Sequence, residues 1–494
     1  MKIPLPSLPT KNNRFLDTPI LRGEKMALAL FHHAAKNVPA YKHFLEKEKV
    51  EHAKVRTYND FKKYVPIIDK KNYLSQYPLA DLCLDGNMFK NRIISVSSGS
   101  SGTPFYWPRG LAQDLEGAEM HGEIYNNIFQ MHQKSTLLVI CFSMGTWIAG
   151  SFTTASSFGY ADKGNPINIV TPGLEKGEAI NAIKNLSSYY DQIVIAGYPP
   201  FVKDIIEEGK RSGIKWPKIK TRLMMAGEAF SEEWRDYVLK LIHSKDPSFD
   251  SVNIYGSADA GMLGNETPLS ILVRRIYNQR PKTRQELFGT SILPSLVQYN
   301  PMRRHFEQIN DELVFTTMSG IPLVRYNIKD TGGVLPFEEA VAPIKDKLLQ
   351  VAARHDIDIE QWHRPFVYLN GRKDFSVTIY AVNIYPENIK AALIDRHIQR
   401  WVTGRFTMAT MNYSDMDQYF EINVEIAKDF VVKAQHQTLI EETILQKLLK
   451  LNTEFHKLHA AIGVKALPRV RLIEFGNPDY FARGVKHKWI KKGQ

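Results

Sequence analysis

The segment DQIVIAGYPPFVKDIIEEGKRSGIKWPKIKTRLMMAGEAF (residues 191–230) contains two apolar runs that flank a stretch with helical spacing. Short runs rich in valine, isoleucine, leucine and methionine are typical of buried strands, whereas the intervening pattern is typical of a helix. The surrounding sequence alternates in the same way. Further strand-like runs are STLLVICFS (135–143), PINIV (166–170) and SVNIYGS (251–257), and SEEWRDYVLKLIHS (231–244) is helix-like. This alternation predicts an α/β architecture with a mostly parallel sheet, whose ligands bind where the strands end.

Different patterns lie on either side of this region. Residues 23–64 carry apolar side chains at helical spacing, which predicts a helical entry segment over about 11–90. Beyond residue 373 the pattern indicates a short strand, a helix from Pro386, an alternating run at 419–430, a helix near Thr438–His459 and a last strand at 468–475. We therefore predict a large domain at 1–373 and a separate α+β domain at 374–494, the latter of ordinary domain size.

Composition excludes several classes of protein. Of the 494 residues, 44% are hydrophobic and 23% charged, as expected for a globular chain, and the formal net charge is +12. Cys83 and Cys141 lie far apart and outside any zinc-ligand spacing, so neither a zinc site nor a disulfide framework is expected. The N-terminus is interrupted by prolines, and no apolar run approaches about 18 residues. We expect a cytoplasmic protein without a transmembrane segment or a nucleic-acid partner.

The sequence SVSSGSSGTPFYW (95–107) places two glycines among hydroxyl side chains, directly after a strand-like run. Glycine lets an anion approach main-chain N–H groups closely, and serine or threonine hydroxyls add donors to phosphate oxygens. The Walker pattern GxxxxGK[ST] is absent. A Ser/Gly stretch taken alone is more often a flexible loop, but its place directly after a strand favours a phosphate-binding loop.

Six motifs follow one another along the chain: SSGSSGTP (97–104), AGEAF (226–230), IYGSADAG (254–261), PLVRYNIKDTG (322–332), NGRKDF (370–375) and NIYP (383–386). In order and spacing they resemble the adenylate-forming superfamily, in particular its branch of phenylacetate-CoA ligase and CapK-like proteins. The N-terminal stretches VPAYKHF and YVPIIDKKNY also resemble that branch. The resemblance implies a large N-terminal α/β domain of the adenylate-forming type and a smaller, mobile α+β C-terminal domain that acts as a lid.

The resemblance also implies an activity. A carboxylic acid would be activated by ATP as its acyl-adenylate, with release of pyrophosphate, and the acyl group would pass to coenzyme A or another acceptor. The implied nucleotide-binding residues are Ser97, Ser98, Gly99, Ser100, Ser101, Gly102 and Thr103 for the phosphates, Gly227, Glu228, Asn253, Tyr255 and Gly256 for the adenine, Asp330 for the ribose hydroxyls, and Arg372.

Three further roles are implied by position. Asp259 matches the acidic residue that helps hold Mg²⁺, usually Glu, and a hard cation also accepts the shorter Asp. Lys486 matches the catalytic lysine that neutralises charge on the reacting carboxylate and α-phosphate. Lys488 is the second choice, because an extra residue separates Gly484 from the first lysine. Asp374 matches the hinge on which the C-terminal domain rotates.

Some positions depart from the family pattern. Thr103 stands where many relatives have lysine, Ala381 where they have glycine, and Phe375 where they have aspartate. These changes leave adenylation as the prediction but open the second step to coenzyme A, an acyl carrier protein, an amine or an amino acid.

Other interpretations stay open at this point. A hydrolase using Ser98 or Ser101 as nucleophile would lack the GxSxG elbow, which is absent. A nucleotide-binding scaffold that has lost turnover would be consistent with Thr103 and Ala381. The apolar side chains Phe142, Trp147 and Phe152 would suit an aryl or other apolar acid, or belong to the core. Neither the acid nor the oligomeric state follows from the sequence.

Overall fold

The computed structural model describes residues 19–97, 105–290, 292–372, 377–428 and 430–481. They form two compact units. The described part of the larger unit lies within 19–97, 106–197 and 202–372. The smaller unit consists of described residues from 377 to 481 together with Phe105 and residues 198–201.

The predicted alternation of strands and helices is confirmed. Up to residue 372, the helices are α1 (Pro19–Asn37), α2 (Pro39–Lys47), α3 (Tyr58–Tyr64), α4 (Leu79–Leu82), α5 (Leu111–Asn127), α6 (Ile148–Ala161), α7 (Lys176–Leu186), α8 (Pro199–Arg211), α9 (Glu232–Leu241), α10 (Pro247–Asp250), α11 (Pro268–Asn278), α12 (Pro281–Phe288), α13 (Phe337–Val341) and α14 (Lys345–Arg354). The strands are β1 (Ile93–Ser97), β2 (Phe105–Arg109), β3 (Thr136–Cys141), β4 (Ile167–Val170), β5 (Gln192–Gly197), β6 (Thr221–Ala226), β7 (Ser251–Ser257), β8 (Gly261–Asn265), β9 (Ser295–Gln298), β10 (His305–Ile309), β11 (Glu312–Thr317), β12 (Leu323–Leu335) and β13 (Phe366–Arg372).

The central sheet has the strand order β10-β11-β12-β13-β9-β8-β7-β6-β5-β3-β4. Strands β4, β3, β5, β6 and β7 are parallel, and every residue of β3 and β5 is buried, as expected when helices cover both faces. The remaining pairings, from β7–β8 to β10–β11, are antiparallel. The prediction of a mostly parallel sheet was therefore wrong for this half. Between β10 and β11 the chain returns through a short turn, Asn310–Asp311, in which both φ angles are positive, instead of a crossover helix.

The entry segment is helical, as predicted, and one face of it is buried. In α1 the buried side chains include Ala27, Leu30, Phe31 and Ala34 at helical spacing. After α3, Ile68 forms a parallel bridge with Tyr326 of β12. The entry segment thus adds to the antiparallel half of the sheet.

The smaller unit has an α+β fold. Its elements are β14 (Val377–Ile379), β15 (Val382–Ile384), α15 (Pro386–Leu393), β16 (Val402–Asn412), β17 (Gln418–Ile426), α16 (Ala434–Leu451), α17 (Thr453–Ile462) and β18 (Arg469–Ile473). Strand β17 pairs antiparallel with β16 and parallel with β18. The single helix predicted near Thr438–His459 is two helices, because Asn452 ends α16 and its Oδ1 caps α17 by accepting from the Phe455 N–H at 3.0 Å.

Within the part of the chain that the structure describes, no helix combines the length and apolar character that crossing a membrane requires.

The hairpin β14–β15 generates a prediction about stability. Tyr380 and Ala381 form its two-residue turn with φ angles of 45° and 62°, a conformation that costs a residue with a side chain about 1 kcal/mol. We expect Ala381→Gly to raise the free energy of unfolding by roughly that amount, measured by urea denaturation. Ala392→Gly in α15 is the control and should lower it by about 1 kcal/mol. If both variants lower the free energy of unfolding, the turn at Tyr380 and Ala381 is not strained.

A second prediction concerns acid. His305 is buried, its Nε2 lies 2.7 Å from the Tyr58 hydroxyl, and burial, aided by the charges of Arg325 and Lys62, lowers its pKa to about 4. The unfolded chain binds this proton near pH 6.5, so acidification from pH 6.5 to 4 favours unfolding. We expect the difference in unfolding free energy between wild type and His305→Gln to shrink over this range by on the order of 2–3 kcal/mol. A pH-independent difference would exclude His305 as the titrating group.

Candidate active site

Two buried carboxylates form the centre of the candidate site, and each is held by a tyrosine from the opposite segment. The Tyr255 hydroxyl of β7 donates to Asp330 Oδ2 of β12 at 2.6 Å. The Tyr326 hydroxyl of β12 donates to Asp259 Oδ2, in the turn after β7, also at 2.6 Å. Asp259 and Asp330 are only 5% and 7% exposed. These two reciprocal contacts are called the crossed Tyr–Asp pairs below.

The crossed pairs require a strongly curved sheet. Strands β7 and β12 are separated by β8, β9 and β13, so in a flat sheet they would lie roughly 19 Å apart, four spacings of about 4.8 Å. A tyrosine side chain cannot span that distance. The curvature is consistent with the single residue pair that joins β8 to β9 and with the positive φ angles of Arg325 and Lys329 in β12. Curvature therefore brings two motifs distant in sequence into direct contact.

Lys70 belongs to this site, although the sequence analysis did not single it out. Its ammonium lies 3.5 Å from Asp259 Oδ1 and 5.7 Å from the centre of the Trp107 ring. The Trp107 indole N–H in turn donates to Ser97 Oγ at 3.1 Å. Lys70 therefore joins Asp259 to Ser97, the residue at which the predicted phosphate loop begins.

The position of Lys70 is fixed by the entry segment. The Ile68 N–H donates to the Arg325 carbonyl at 3.1 Å, and the Asn327 N–H donates to the Ile68 carbonyl at 2.8 Å. Next to it, Asp69 forms an ion pair with Lys329 at 3.1 Å. The stretch IIDKKNY had marked this segment as similar to the phenylacetate-CoA ligase branch, and this was the one signal in the sequence that could have pointed to Lys70.

The residues predicted for the adenine side lie close together at the ends of β6 and β7. Asn253 Nδ2 donates to the Glu228 carbonyl at 3.0 Å, and Gly227 has φ 91°, which favours glycine. Asn253 Oδ1 is buried and has no hydrogen-bond partner among the described residues. A buried acceptor without a donor is costly, so this atom fits the exocyclic amine of an adenine.

Tyr255 and Gly256, the aromatic residue and the glycine of the IYGSADAG motif, also lie at the end of β7. The Tyr255 ring lies 6.4 Å from that of Phe306 at 28°, which orients it in addition to its bond to Asp330. A Cβ at Gly256 would come within 2.8 Å of the Gly261 carbonyl oxygen. Only glycine lets β7 and β8 approach this closely here.

Asp330 and Arg372 are directly opposite each other in the β12–β13 ladder. This register places the backbone of Arg372 beside Asp330, the residue predicted to bind the ribose hydroxyls. The side chain of Arg372 is outside the described part of the structure. Arg325 donates to both oxygens of Glu307 at 3.0 and 2.9 Å and so forms a structural ion pair.

Asp259 is chemically suited to Mg²⁺. This ion commonly binds one or two carboxylates, and phosphates and water complete its shell. The bond from Tyr326 fixes the carboxylate, while the Lys70 side chain is 37% exposed and has room to move aside. The residues therefore fit a magnesium ion, which Asp259 would hold and which would supply positive charge for a phosphate-bearing ligand.

Other predicted site residues lie outside the described part of the chain. They are Ser98, Gly99, Ser100, Ser101, Gly102 and Thr103 of the phosphate loop, Asp374, and both candidate lysines, Lys486 and Lys488. Phe142 and Phe152, considered for an acid pocket, are 1% and 6% exposed and pack in the core.

No protein-family model matches the sequence, and curated proteins give no significant match. Among solved structures, the fold is similar to that of 2-hydroxyisobutyryl-CoA ligase. With its complex with 2-HIB-AMP and CoA in the thioesterification state, the TM-score is 0.64 at 14% identity, covering 95% of this chain and 89% of that chain. With an open conformation bound to the same two ligands, the TM-score is 0.53 at 15% identity, covering 96% and 91%. The chain therefore has the α/β fold of an adenylate-forming ligase, with a separate C-terminal region.

The crossed Tyr–Asp pairs predict a stability effect. Each hydroxyl donates to a buried carboxylate. A hydrogen bond to a charged group contributes about 1.5–3 kcal/mol, so Tyr255→Phe and Tyr326→Phe should each lower the unfolding free energy by about that amount. Tyr190→Phe is the control, because Tyr190 donates to neutral Asn168 near the surface, and it should cost less than about 0.5 kcal/mol. Equally small losses in all three variants, measured by urea denaturation, would show that the crossed pairs contribute little.

Proposed function

We propose that this chain activates a carboxylic acid with ATP, forming an acyl-adenylate and pyrophosphate. The observation that carries the proposal is the set Asn253, Tyr255, Asp330, Asp259 and Lys70, which hydrogen bonds and an ion pair hold where the β7 region, β12 and the entry segment meet. Its order matches the parts of a nucleotide: an adenine acceptor, a ribose carboxylate, and a cation next to a metal-binding carboxylate. The fold supports the same assignment.

In the proposed complex, each residue binds one part of ATP. Asn253 Oδ1 accepts a hydrogen bond from the adenine amine, and the Tyr255 ring lies along the base. Asp330 accepts from the ribose hydroxyls, a charge-assisted interaction that also fixes the sugar. Glu228 and Gly227 provide backbone beside the base.

At the phosphate end, Lys70 and the loop Ser97–Thr103 bind the β- and γ-phosphates. We assign Lys70 the positive charge that many relatives provide at position 103, which is Thr103 here. Asp259 would hold Mg²⁺, which when bound neutralises phosphate charge. Arg372 approaches the nucleotide from the strand that pairs with Asp330.

The chemical step is an in-line displacement at phosphorus. An oxygen of the acid carboxylate forms a bond to the α-phosphorus while the bond from that phosphorus to the bridging oxygen of pyrophosphate breaks, and its electron pair leaves with pyrophosphate. No protein nucleophile is needed, so catalysis consists of positioning and of neutralising negative charge. We propose Lys486, with Lys488 as the alternative, for the charge that develops at the α-phosphate, and Asp374 as hinge of a mobile C-terminal domain.

Coenzyme A is the acceptor we propose first, since the 2-hydroxyisobutyryl-CoA ligase structures contain CoA together with 2-HIB-AMP. An acyl carrier protein, an amine or an amino acid are the alternatives, motivated by Ala381 in place of glycine. A phenylacetate-CoA ligase-like preference for an aryl acid rests on the sequence resemblance. Purified enzyme offered coenzyme A and a carrier protein in parallel distinguishes these acceptors.

The activity is tested by exchange of labelled pyrophosphate into ATP with a panel of carboxylic acids. Acid-dependent exchange is expected. ATP binding without exchange for every acid would support a scaffold protein instead, and ester cleavage without ATP would support a hydrolase using Ser98 or Ser101. In an active preparation, Lys486→Ala should abolish exchange while ATP still binds.

Lys70 gives a sharper prediction within the larger unit. Lys70→Met keeps the apolar stem over Trp107 but removes the charge, and should lower kcat/KM for ATP by roughly 10²-fold. Lys71→Met, at the exposed neighbouring position, is the matched control and should change it less than about twofold. Equal activity of both variants in steady-state kinetics would remove Lys70 from the phosphate site.

A further inference from the structure

A buried cluster of arginines and glutamates lies directly behind the adenine side of the site. Its central members are Glu232, Arg235, Glu266 and Arg274, all 4% exposed or less. Arg235 donates to Glu266 Oε1 at 2.6 Å and to Glu232 Oε2 at 3.0 Å, and Arg274 donates to Glu232 Oε1. Burying four charges is expensive, so an arrangement of this kind needs close pairing.

The charges within this cluster are balanced. Arg275 also pairs with Glu232 at 2.8 Å and with Asp236, so three guanidiniums face three carboxylates. Burial alone would raise the pKa of Glu232, but the three arginines outweigh burial and hold this pKa at about 2. Glu232 is therefore ionised at neutral pH.

The cluster binds both backbone segments that form the adenine side. Glu266 Oε2 accepts from the Asn253 N–H at 2.8 Å, and the Glu266 N–H donates to the Asn253 carbonyl at 2.8 Å. Glu266 thus holds Asn253 through both of its backbone groups. This contact fixes the strand residue whose Oδ1 has no hydrogen-bond partner in the described part of the chain.

The AGEAF loop is held by the same charges. Arg274 donates to the Phe230 carbonyl at 2.7 Å, and the Arg235 guanidinium lies 4.9 Å from the centre of the Phe230 ring. Since Asn253 also donates to the Glu228 carbonyl, the loop and the strand are fixed relative to each other through one ionic cluster. The position of the Asn253 acceptor therefore depends on charges that never touch the ligand.

We propose that Glu266 is a positioning residue for base recognition: through the buried cluster it places Asn253 Oδ1 to accept from the 6-amino group of a purine, and so selects adenine over 6-oxopurine nucleotides. The inference rests on the proposed function. It extends that function, because it names the group of the base that is read and the residue that controls the reading.

The test compares binding of ATP with binding of ITP, which has a 6-oxo group in place of the amine. Wild type should bind ATP about tenfold or more tightly than ITP, because ATP makes one additional hydrogen bond to a fixed acceptor. Glu266→Gln keeps an acceptor for the Asn253 N–H but loses the charge that holds Arg235, and should reduce this ratio severalfold. Glu266→Ala removes both the acceptor for the Asn253 N–H and the charge that holds Arg235. It should bring the ATP/ITP ratio close to one, mainly by weakening ATP binding, while ITP binding changes less than about threefold.

Glu116→Gln provides the matched control. Glu116 accepts from the buried Arg304 at 3.1 and 3.0 Å in another arginine–glutamate pair of the larger unit, and no described hydrogen bond joins either residue to Asn253 or to the AGEAF loop. It should cost stability without changing the ATP/ITP ratio, which separates positioning from a general structural effect. Should Glu266→Ala fail to fold, Glu266→Gln carries the test.

The outcomes distinguish two failures. If wild type binds ATP and the Glu266→Gln variant retains the full ATP/ITP ratio, the positioning role of Glu266 is wrong but the proposed function stands. Wild type that binds neither nucleotide would overturn the proposed function itself. A kinetic readout gives the same separation: the variant should raise KM for ATP while kcat and KM for the acid stay within about twofold.

Discussion

The candidate site depends on one interaction pattern, the crossed Tyr–Asp pairs between the β7 region and β12. Each pair couples a buried carboxylate to a hydroxyl from the other segment, so each carboxylate gains this donor only when both segments meet. A buried carboxylate without a donor costs several times more than an ordinary hydrogen bond contributes. This constraint favours the curved sheet, which brings the segments carrying Asp259 and Asp330 together.

The surrounding structure supports this crevice from two directions. On the phosphate side, the entry segment pairs with β12 through Ile68 and presents Lys70 to Asp259. On the adenine side, the ionic cluster around Glu232 and Arg235 holds β7 and the AGEAF loop. Both supports use charges whose partners are fixed by packing, so the site is organised before a ligand arrives, the condition under which electrostatic stabilisation is most effective.

The departures from the family pattern acquire a physical meaning in this setting. Thr103 removes a cation from the phosphate loop, and Lys70 offers one from a different part of the chain, so the proposed adenylation keeps its charge balance. Ala381 lies in a turn that favours glycine, which shows that its φ of 62° is maintained despite a methyl group. The nucleotide half of the proposed reaction is thus better supported than the acceptor half.

The sequence by itself determined the α/β alternation, the helical entry segment, the α+β character of the C-terminal region and the motif residues Asn253, Asp259 and Asp330, because these follow from local periodicity and from the order of motifs. The tertiary structure decided what depends on partners distant in sequence. The antiparallel half of the sheet, the pairing of Tyr326 with Asp259 and the ion pair of Lys70 with Asp259 all need contacts between residues far apart along the chain. Periodicity carries no information on such contacts, since strand curvature and the balance of buried charges are set only when the whole unit packs.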